Sequence, residues 1–348
     1  MTSPFSSTEK FENEFNDGLH RLASHGGLGP FILACANATA HQQLFIDLKA
    51  PLQDQYRELY QAYRTAFING RDIEVVDEDL LVFLKLHTIG FDSLQLGESR
   101  RVGDWKVQFN HIRSFRPRRI TQFIHEGVYV PYDDDEFNFN KPFMARECFW
   151  GGDFNARKLD VFYNKYPFAE LHCLLVLDKD SCCPQLLSEQ DHRYISKLVT
   201  QLGADLDGVG IGYNSYGAYA SVNHLHFQMF VDKQRLPVCD PHWVHNGGDR
   251  EYPALCHVFD SVDASWPCVQ QLHDAQQPYN ILYMPEQVYI FPRKTQGTVA
   301  VPEWSSGFTW YELSGGMIVF NFEDFLRLDA SEIESNLAAL RPDYWPPI

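Results

Sequence analysis

At 348 residues the chain has room for one large domain or two of ordinary size, and its 45% apolar residues, with 26 Phe and 17 Tyr, can fill a sizeable core. Lys and Arg total 29 against 46 Asp and Glu, a net charge of −17 that repels polyanions, argues against a nucleic-acid partner and obliges any anionic ligand to find a local basic patch. Met1 to His20 holds no apolar run of leader length, Leu171 to Leu177 is far shorter than a membrane span, and the eight cysteines show no CxxC pair, so a cytoplasmic, non-membrane protein with reduced thiols is expected.

In chain order, apolar spacing predicts helices over Ser7 to Leu22 and Ala40 to Phe67, with Pro51 expected in a first helical turn. After Gly103 the pattern shortens to strand-like runs: Trp105 to Phe109, Leu159 to Tyr163, Leu171 to Leu177, Gly208 to Tyr213 and His224 to Val231. Asp191 to Leu202 has helical spacing between two of these. Asn280 to Tyr283 and Val288 to Phe291, separated by Pro285 and Glu286, read as a hairpin. Met317 to Phe320 is a further short run, and Ser331 with Glu334 three residues on marks the start of a last helix to about Leu340. The fold class is therefore α+β, divided into a mainly helical region at 1–102 and a sheet-containing domain at 103–348.

Chemistry concentrates in Gly208 to Val231, where a glycine-spaced strand is followed by small residues and then by Asn223, His224, Leu225, His226, Phe227 and Gln228. On a strand His224, His226 and Gln228 share one face, and Leu225, Phe227 and Met229 the other. Polar side chains in register among large apolar ones need a ligand or hydrogen-bond partners. Paired imidazoles suit metal ligation or nucleophilic catalysis, or else are two satisfied histidines on a half-exposed strand. Gln228 favours the nucleophile, because a carboxamide ligates metals poorly but hydrogen-bonds phosphoryl oxygens. Asn214, Ser215, Gly217 and Ser221 supply the small, polar loop that can close on phosphate. The combination suits phosphoryl or nucleotidyl transfer. Arg113, Arg116, Arg118 and Arg119, with Lys106 near, form the basic patch that the net charge requires. Cys239, His242, His245, Cys256 and His257 fit no standard zinc spacing, and Asp133 to Glu136 reads as a solvated acidic loop, so no metal site is assigned; magnesium or zinc is neither required nor predicted.

The stretch Gly212 to Gln228 resembles the histidine-triad superfamily in the branch where glutamine replaces the third histidine, that of the galactose-1-phosphate uridylyltransferases. It is similar in particular to the GDP-L-galactose and GDP-D-glucose phosphorylases. Further segments agree in order: Phe109-Asn110 with Arg113, Arg116, Pro117 and Arg118; Phe137 to Lys141; Asn164 to Leu177; Pro278 to Pro292; and Glu312 to Met317. The resemblance covers roughly residues 103–340 and leaves 1–102 and much of Cys239 to Ser265 unaccounted for.

The resemblance implies a uridylyltransferase-like antiparallel sheet with flanking helices. It makes His226 the nucleophile that takes guanylyl from a GDP-hexose and passes it to inorganic phosphate, with His224 and Gln228 orienting the ring and holding phosphoryl oxygens. Asn214, Ser215, Gly217, Ser221 and Asn223 would line the phosphate cradle, His172 would support it, and Arg113, Arg116 and Arg118 would bind phosphate. The partners are then a nucleotide sugar and phosphate, in a monomer or homodimer. Alternatives are another nucleotidyltransferase, a dinucleoside polyphosphate phosphorylase, a nucleotide-sugar hydrolase, or a nucleotide-binding protein without turnover; product identity and acceptor dependence separate them.

Overall fold

In a computed structural model, which describes residues 3–24, 27–117 and 127–344, four helices come first: α1 Thr8–Ser24, α2 Leu28–Ala38, α3 Gln42–Ile68 and α4 Asp77–Ile89. Helix α1 forms where Phe11, Phe15, Leu19 and Leu22 recur at helical spacing, and this stripe is buried. Helix α2, which sequence periodicity missed, is apolar on nearly every side and lies buried among its neighbours, so it carries no amphipathic signal. Pro51 falls within α3 rather than in its first turn, because the helix begins at Gln42 under an N-cap from His41.

The remaining elements are β1 Glu98–Val102, β2 Trp105–Phe109, α5 His111–Phe115, β3 Cys148–Phe154, β4 Arg157–Tyr163, β5 Cys173–Leu177, α6 Glu189–Gly203, β6 Val209–Asn214 and β7 His226–Val231. They continue with β8 His257–Phe259, α7 Val262–Asp274, β9 Tyr279–Tyr283, β10 Val288–Pro292, α8 Trp310–Leu313, β11 Gly316–Val319, α9 Phe322–Arg327 and α10 Ala330–Ala339. The cap of α10 is Asp329, which accepts the Glu332 N–H at 2.9 Å, and not Ser331. Eight strands form one antiparallel sheet in the order β3-β4-β5-β7-β6-β9-β10-β8, and β1-β2-β11 form a small second sheet in which β11 runs parallel to β2. The α+β class with an antiparallel sheet and a helical N-terminal region is thus what the chain adopts. Residue 102 ends the first strand of the β1–β2 hairpin.

Side-chain alternation divides the large sheet into two faces. Leu175 of β5, Phe227 and Met229 of β7, Ile211 and Tyr213 of β6 and Ile281 of β9 belong to the same buried cluster as the stripes of α1, α2 and α6. Phe230 and Leu282 point the other way, into a second cluster with Trp310, Tyr311 and the small sheet, while Phe162 and Val176 join Phe139 and Met144 in a third. His226, Gln228, Gly210, Gly212 and Asn214 lie on this second face, between an apolar bed on one side and the small sheet on the other. Among the described residues no helix is long and apolar enough to cross a membrane.

Candidate active site

Strand β7 places His226 opposite Val176 and Gln228 between Leu174 and Gly212. His224 is not on the strand; it precedes it in a bend, and its carbonyl turns back to His226 Nδ1 at 2.8 Å. The expected shared face of three strand residues is therefore two strand residues plus a backbone carbonyl. Since a carbonyl only accepts, Nδ1 carries the proton and the lone pair of a neutral ring sits on Nε2. Burial lowers the His226 imidazole to about 4, so it is neutral at physiological pH.

Gln185, in the loop before α6, staples the strand ends together: its Oε1 accepts the His226 N–H at 2.9 Å, and its Nε2 donates to the carbonyls of Asn214 and His226 at 2.9 and 3.1 Å. Phe139 covers the histidines, its ring centroid 5.3 Å from that of His226 and 5.6 Å from that of His224, and its N–H donates to His224 Nδ1 at 3.3 Å. Gln228 is held from the far side. The Trp310 indole N–H donates to its Oε1 at 3.0 Å, which leaves the amide N–H groups for a ligand. His172, fully buried just before β5, accepts the Phe168 N–H at Nδ1 at 3.3 Å and has its Nε2 3.3 Å from the Asn164 side-chain nitrogen; burial lowers it to about 3.

A cleft of about 940 Å³ opens over this face, and Asn214, Gly217, Ser221, Asn223, Gln228, Arg113 and Arg116 all line it. His226 is not among the described residues that line it; it is 5% exposed under the Phe139 ring, two strand positions or about 7 Å from Gln228. Asn214 Oδ1 accepts the Asn280 side-chain N–H at 2.6 Å and the Trp310 backbone N–H at 2.9 Å, so it organises the cleft wall. Gly217 stands at φ +76°, and a Cβ there would approach Pro278 to 3.0 Å. Ser215 turns away from the cleft: it is fully buried, and its Oγ accepts the Tyr279 N–H at 3.0 Å. Asn223 holds the covering segment, donating to the carbonyls of Val130 and Pro131 at 3.1 and 2.8 Å.

The basic patch is partly dispersed. Arg113 stacks 5.0 Å over Phe168 and donates to the Tyr166 carbonyl; its Nε is buried without a hydrogen-bond partner among the described residues, and burial lowers the guanidinium to about 10. Arg116 pairs with Glu78 at 2.9 Å and lies over the Tyr166 ring. Arg118 and Arg119 lie outside the described residues. Lys106 does not join the patch; it pairs with Asp232 at 3.1 Å beside a separate, smaller cavity. Asp133 and Glu136 do border the cleft. Among the described residues no group of three His, Cys, Asp or Glu is placed to hold a metal, and the Cys239 to His257 loop uses its side chains locally, with His245 Nε2 2.9 Å from the Val238 carbonyl.

Sequence reasoning gave no role to Gln185, Trp310 or Phe139. Phe139 and Asn280 fell inside segments quoted for their resemblance, which was the available signal; Gln185 and Trp310 carried none.

Residues 103–230 match the family described as GDPGP1-like, N-terminal domain. The chain is 32% identical over 133 residues to GDP-D-glucose phosphorylase 1 of Danio rerio, a match that covers 38% of this chain and 37% of the relative. It is 26% identical over 270 residues to GDP-L-galactose phosphorylase 2 of Arabidopsis thaliana, covering 63% of this chain and 60% of the relative. The chain thus spans between about a third and three fifths of these relatives' lengths. A crystal structure of yeast Ap4A phosphorylase Apa2 in complex with Ap4A is similar over 78% of this chain and 100% of that chain, at 14% identity and a TM-score of 0.49.

Proposed function

We propose that this chain, whose residues 103–230 match the GDPGP1-like N-terminal domain family, is a GDP-hexose phosphorylase that works through a covalent guanylyl-histidine on His226. The observation that carries the reading is the pairing of a neutral imidazole, its Nδ1 proton committed to the His224 carbonyl, with a Gln228 amide whose oxygen is already occupied by Trp310. Nε2 attacks the α-phosphorus, the bond from that phosphorus to the bridging oxygen breaks, and hexose 1-phosphate leaves with the electron pair. The charge that grows on the ring is stabilised through the Nδ1–H···O=C bond, and the Gln228 N–H groups meet the non-bridging oxygens. An oxygen of inorganic phosphate then attacks the same phosphorus, the N–P bond breaks, and GDP departs from a neutral His226.

Arg113, with Arg116 beside it, lines the cleft where the leaving phosphate needs a cation, against a chain of net charge −17. The eight thiols are all free, which suits a reducing cytoplasmic compartment. The test is a product assay with GDP-, ADP- and UDP-hexoses, each with and without phosphate, beside His226→Ala. Phosphate-dependent GDP, together with a mass increase of one guanylyl on the wild-type chain when phosphate is withheld, is expected. Nucleoside monophosphate released without phosphate, or unchanged turnover by His226→Ala, would overturn the reading.

A further inference from the structure

Glu312 is an acidic side chain in a cleft read as a phosphate site. It is only 3% exposed yet lines the cleft, carried on the short helix α8 that also supplies Trp310 to Gln228. Its Oε2 is fixed by the Thr309 backbone N–H at 2.8 Å and the Thr309 hydroxyl at 2.6 Å, whereas Oε1 has no hydrogen-bond partner among the described residues. Burial raises its pKa, while the Thr309 bonds and the Arg113 charge act in the opposite sense and favour the carboxylate. A carboxylate whose second oxygen is free at the cleft wall offers a strong acceptor to a ligand there, and it repels phosphate oxygens. Within a nucleotide sugar, the groups that suit it are neutral hydroxyl donors and not phosphoryl oxygens.

The connectivity of the substrate decides which donor. In a GDP-hexose the β-phosphate and the hexose lie on the same side of the α-phosphorus, and guanosine lies on the other. Arg113 and Glu312 line the same cleft, so the carboxylate faces the space that holds the cation available for the leaving phosphate. Asn223 and Ser221 belong instead to the loop that leads into His224. Resting on the GDP-hexose reading above, we propose that Glu312 is a specificity-determining residue whose Oε1 accepts a hydroxyl of the transferred hexose.

A single charged acceptor at one hydroxyl position distinguishes epimers, since the wrong configuration leaves it unpaired in a buried site. It has no part in the half-reaction that lacks the sugar. Glu312→Gln keeps an oxygen for Thr309 and so preserves the cap; a melting temperature near that of the wild type checks this. In that variant kcat/KM for the preferred GDP-hexose is expected to fall by about 10- to 100-fold, and its ratio over the epimer to fall toward one. Exchange of labelled inorganic phosphate into GDP, which needs His226 and phosphate but no hexose, should stay within about twofold of the wild type, a change worth less than half of a tenfold step. Parallel loss of both activities, or no loss of either, would overturn the assignment. Calorimetric titration with hexose 1-phosphate and with inorganic phosphate separates this inference from the reading beneath it. Should the wild type show neither exchange nor phosphorolysis, the phosphorylase reading fails, while a hexose contribution to affinity that disappears in Glu312→Gln still supports the carboxylate, and one that persists overturns it.

Discussion

As the proposed nucleophile, His226 would react only while neutral, and its surroundings keep it so far below the ordinary histidine range. Burial sets its pKa near 4, and the Phe139 ring lies against it with centroids 5.3 Å apart. In a ping-pong scheme kcat/KM for the GDP-hexose reports the free enzyme and is independent of phosphate, so phosphate ionisation does not enter the profile. The expected profile is flat from pH 8 down to about 5, with loss below that as Nε2 takes a proton, whereas an unshifted imidazole would lose activity below about 6.5. Phe139→Ala admits water to the ring, so the folded-state pKa rises toward 6.5 and the acid limb moves up with it. Initial rates across pH 4.5 to 8 for both proteins check this; coincident limbs would show that Phe139 does not control the desolvation. At the same scale, Gln185→Leu removes three hydrogen bonds that fix the ends of β6 and β7, and one of them holds the His226 N–H itself. Each bond contributes about 1 kcal/mol net, and the buried groups left unpaired cost more, so a clear drop in thermal midpoint together with lower kcat is expected.

Strand β6 shows how an element's composition is dictated by a partner far away in the chain. Its inward residues Val209, Ile211 and Tyr213 fill the helix-covered core, while Gly210 and Gly212 face the cleft side, where a Cβ would come within 2.3 Å of the Phe230 ring and 2.2 Å of Trp310. Phe230 and Trp310 stack at 5.3 Å over this flat bed, and Trp310 in turn fixes Gln228 and Asn214. Gly212→Ala must displace Trp310, an overpacking that costs about 1–3 kcal/mol. It is expected to lower the thermal midpoint and, because Gln228 loses its anchor, to lower kcat more than the stability loss alone explains; unchanged kinetics would dissociate Trp310 from catalysis. The glycine spacing of this strand was legible in the sequence, as was the alternation along β7, because both are local periodicities. The departure of His224 from the strand was not, since it depends on the His224 carbonyl finding His226 Nδ1. Nor was the reach of Trp310 across the sheet, which no spacing records. The dispersal of the basic patch has the same cause: Lys106 and Arg116 find Asp232 and Glu78 only in three dimensions.

At the scale of the whole molecule, the helical N-terminal region and the sheet share one hydrophobic cluster, so protonation anywhere in it bears on the stability of both. Four described histidines are buried there or on the cleft face, and burial lowers them all: His172 to about 3, His192 and His226 to about 4, and His224 below its ordinary value. His192 sits between the Tyr283 hydroxyl and Ser265 Oγ, at 2.7 and 2.8 Å, and does not line the cleft. In the unfolded chain each titrates near 6.5, so between pH 6.5 and about 4 the unfolded state binds more protons than the folded one, and stability must fall as pH falls. The fall approaches about 1.4 kcal/mol per pH unit for each group fully within that window. Glu147, Glu170, Glu312 and Asp160 act with the opposite sign, since burial raises them and the folded chain takes up their protons first. Their window opens at the unfolded references, 4.5 for the glutamates and 3.8 for the aspartate, and runs up to their raised folded values, so they offset part of the histidine effect there. Urea unfolding at pH 7, 6 and 5 should therefore show a midpoint that declines at each step with an unchanged m value. His192→Asn, which removes one titrating group without touching the cleft, should make the decline shallower while leaving the acid limb of kcat/KM where it was. A midpoint independent of pH across this range would mean that the buried histidines are hydrated in the folded chain, and the neutral nucleophile at His226 would fall with them.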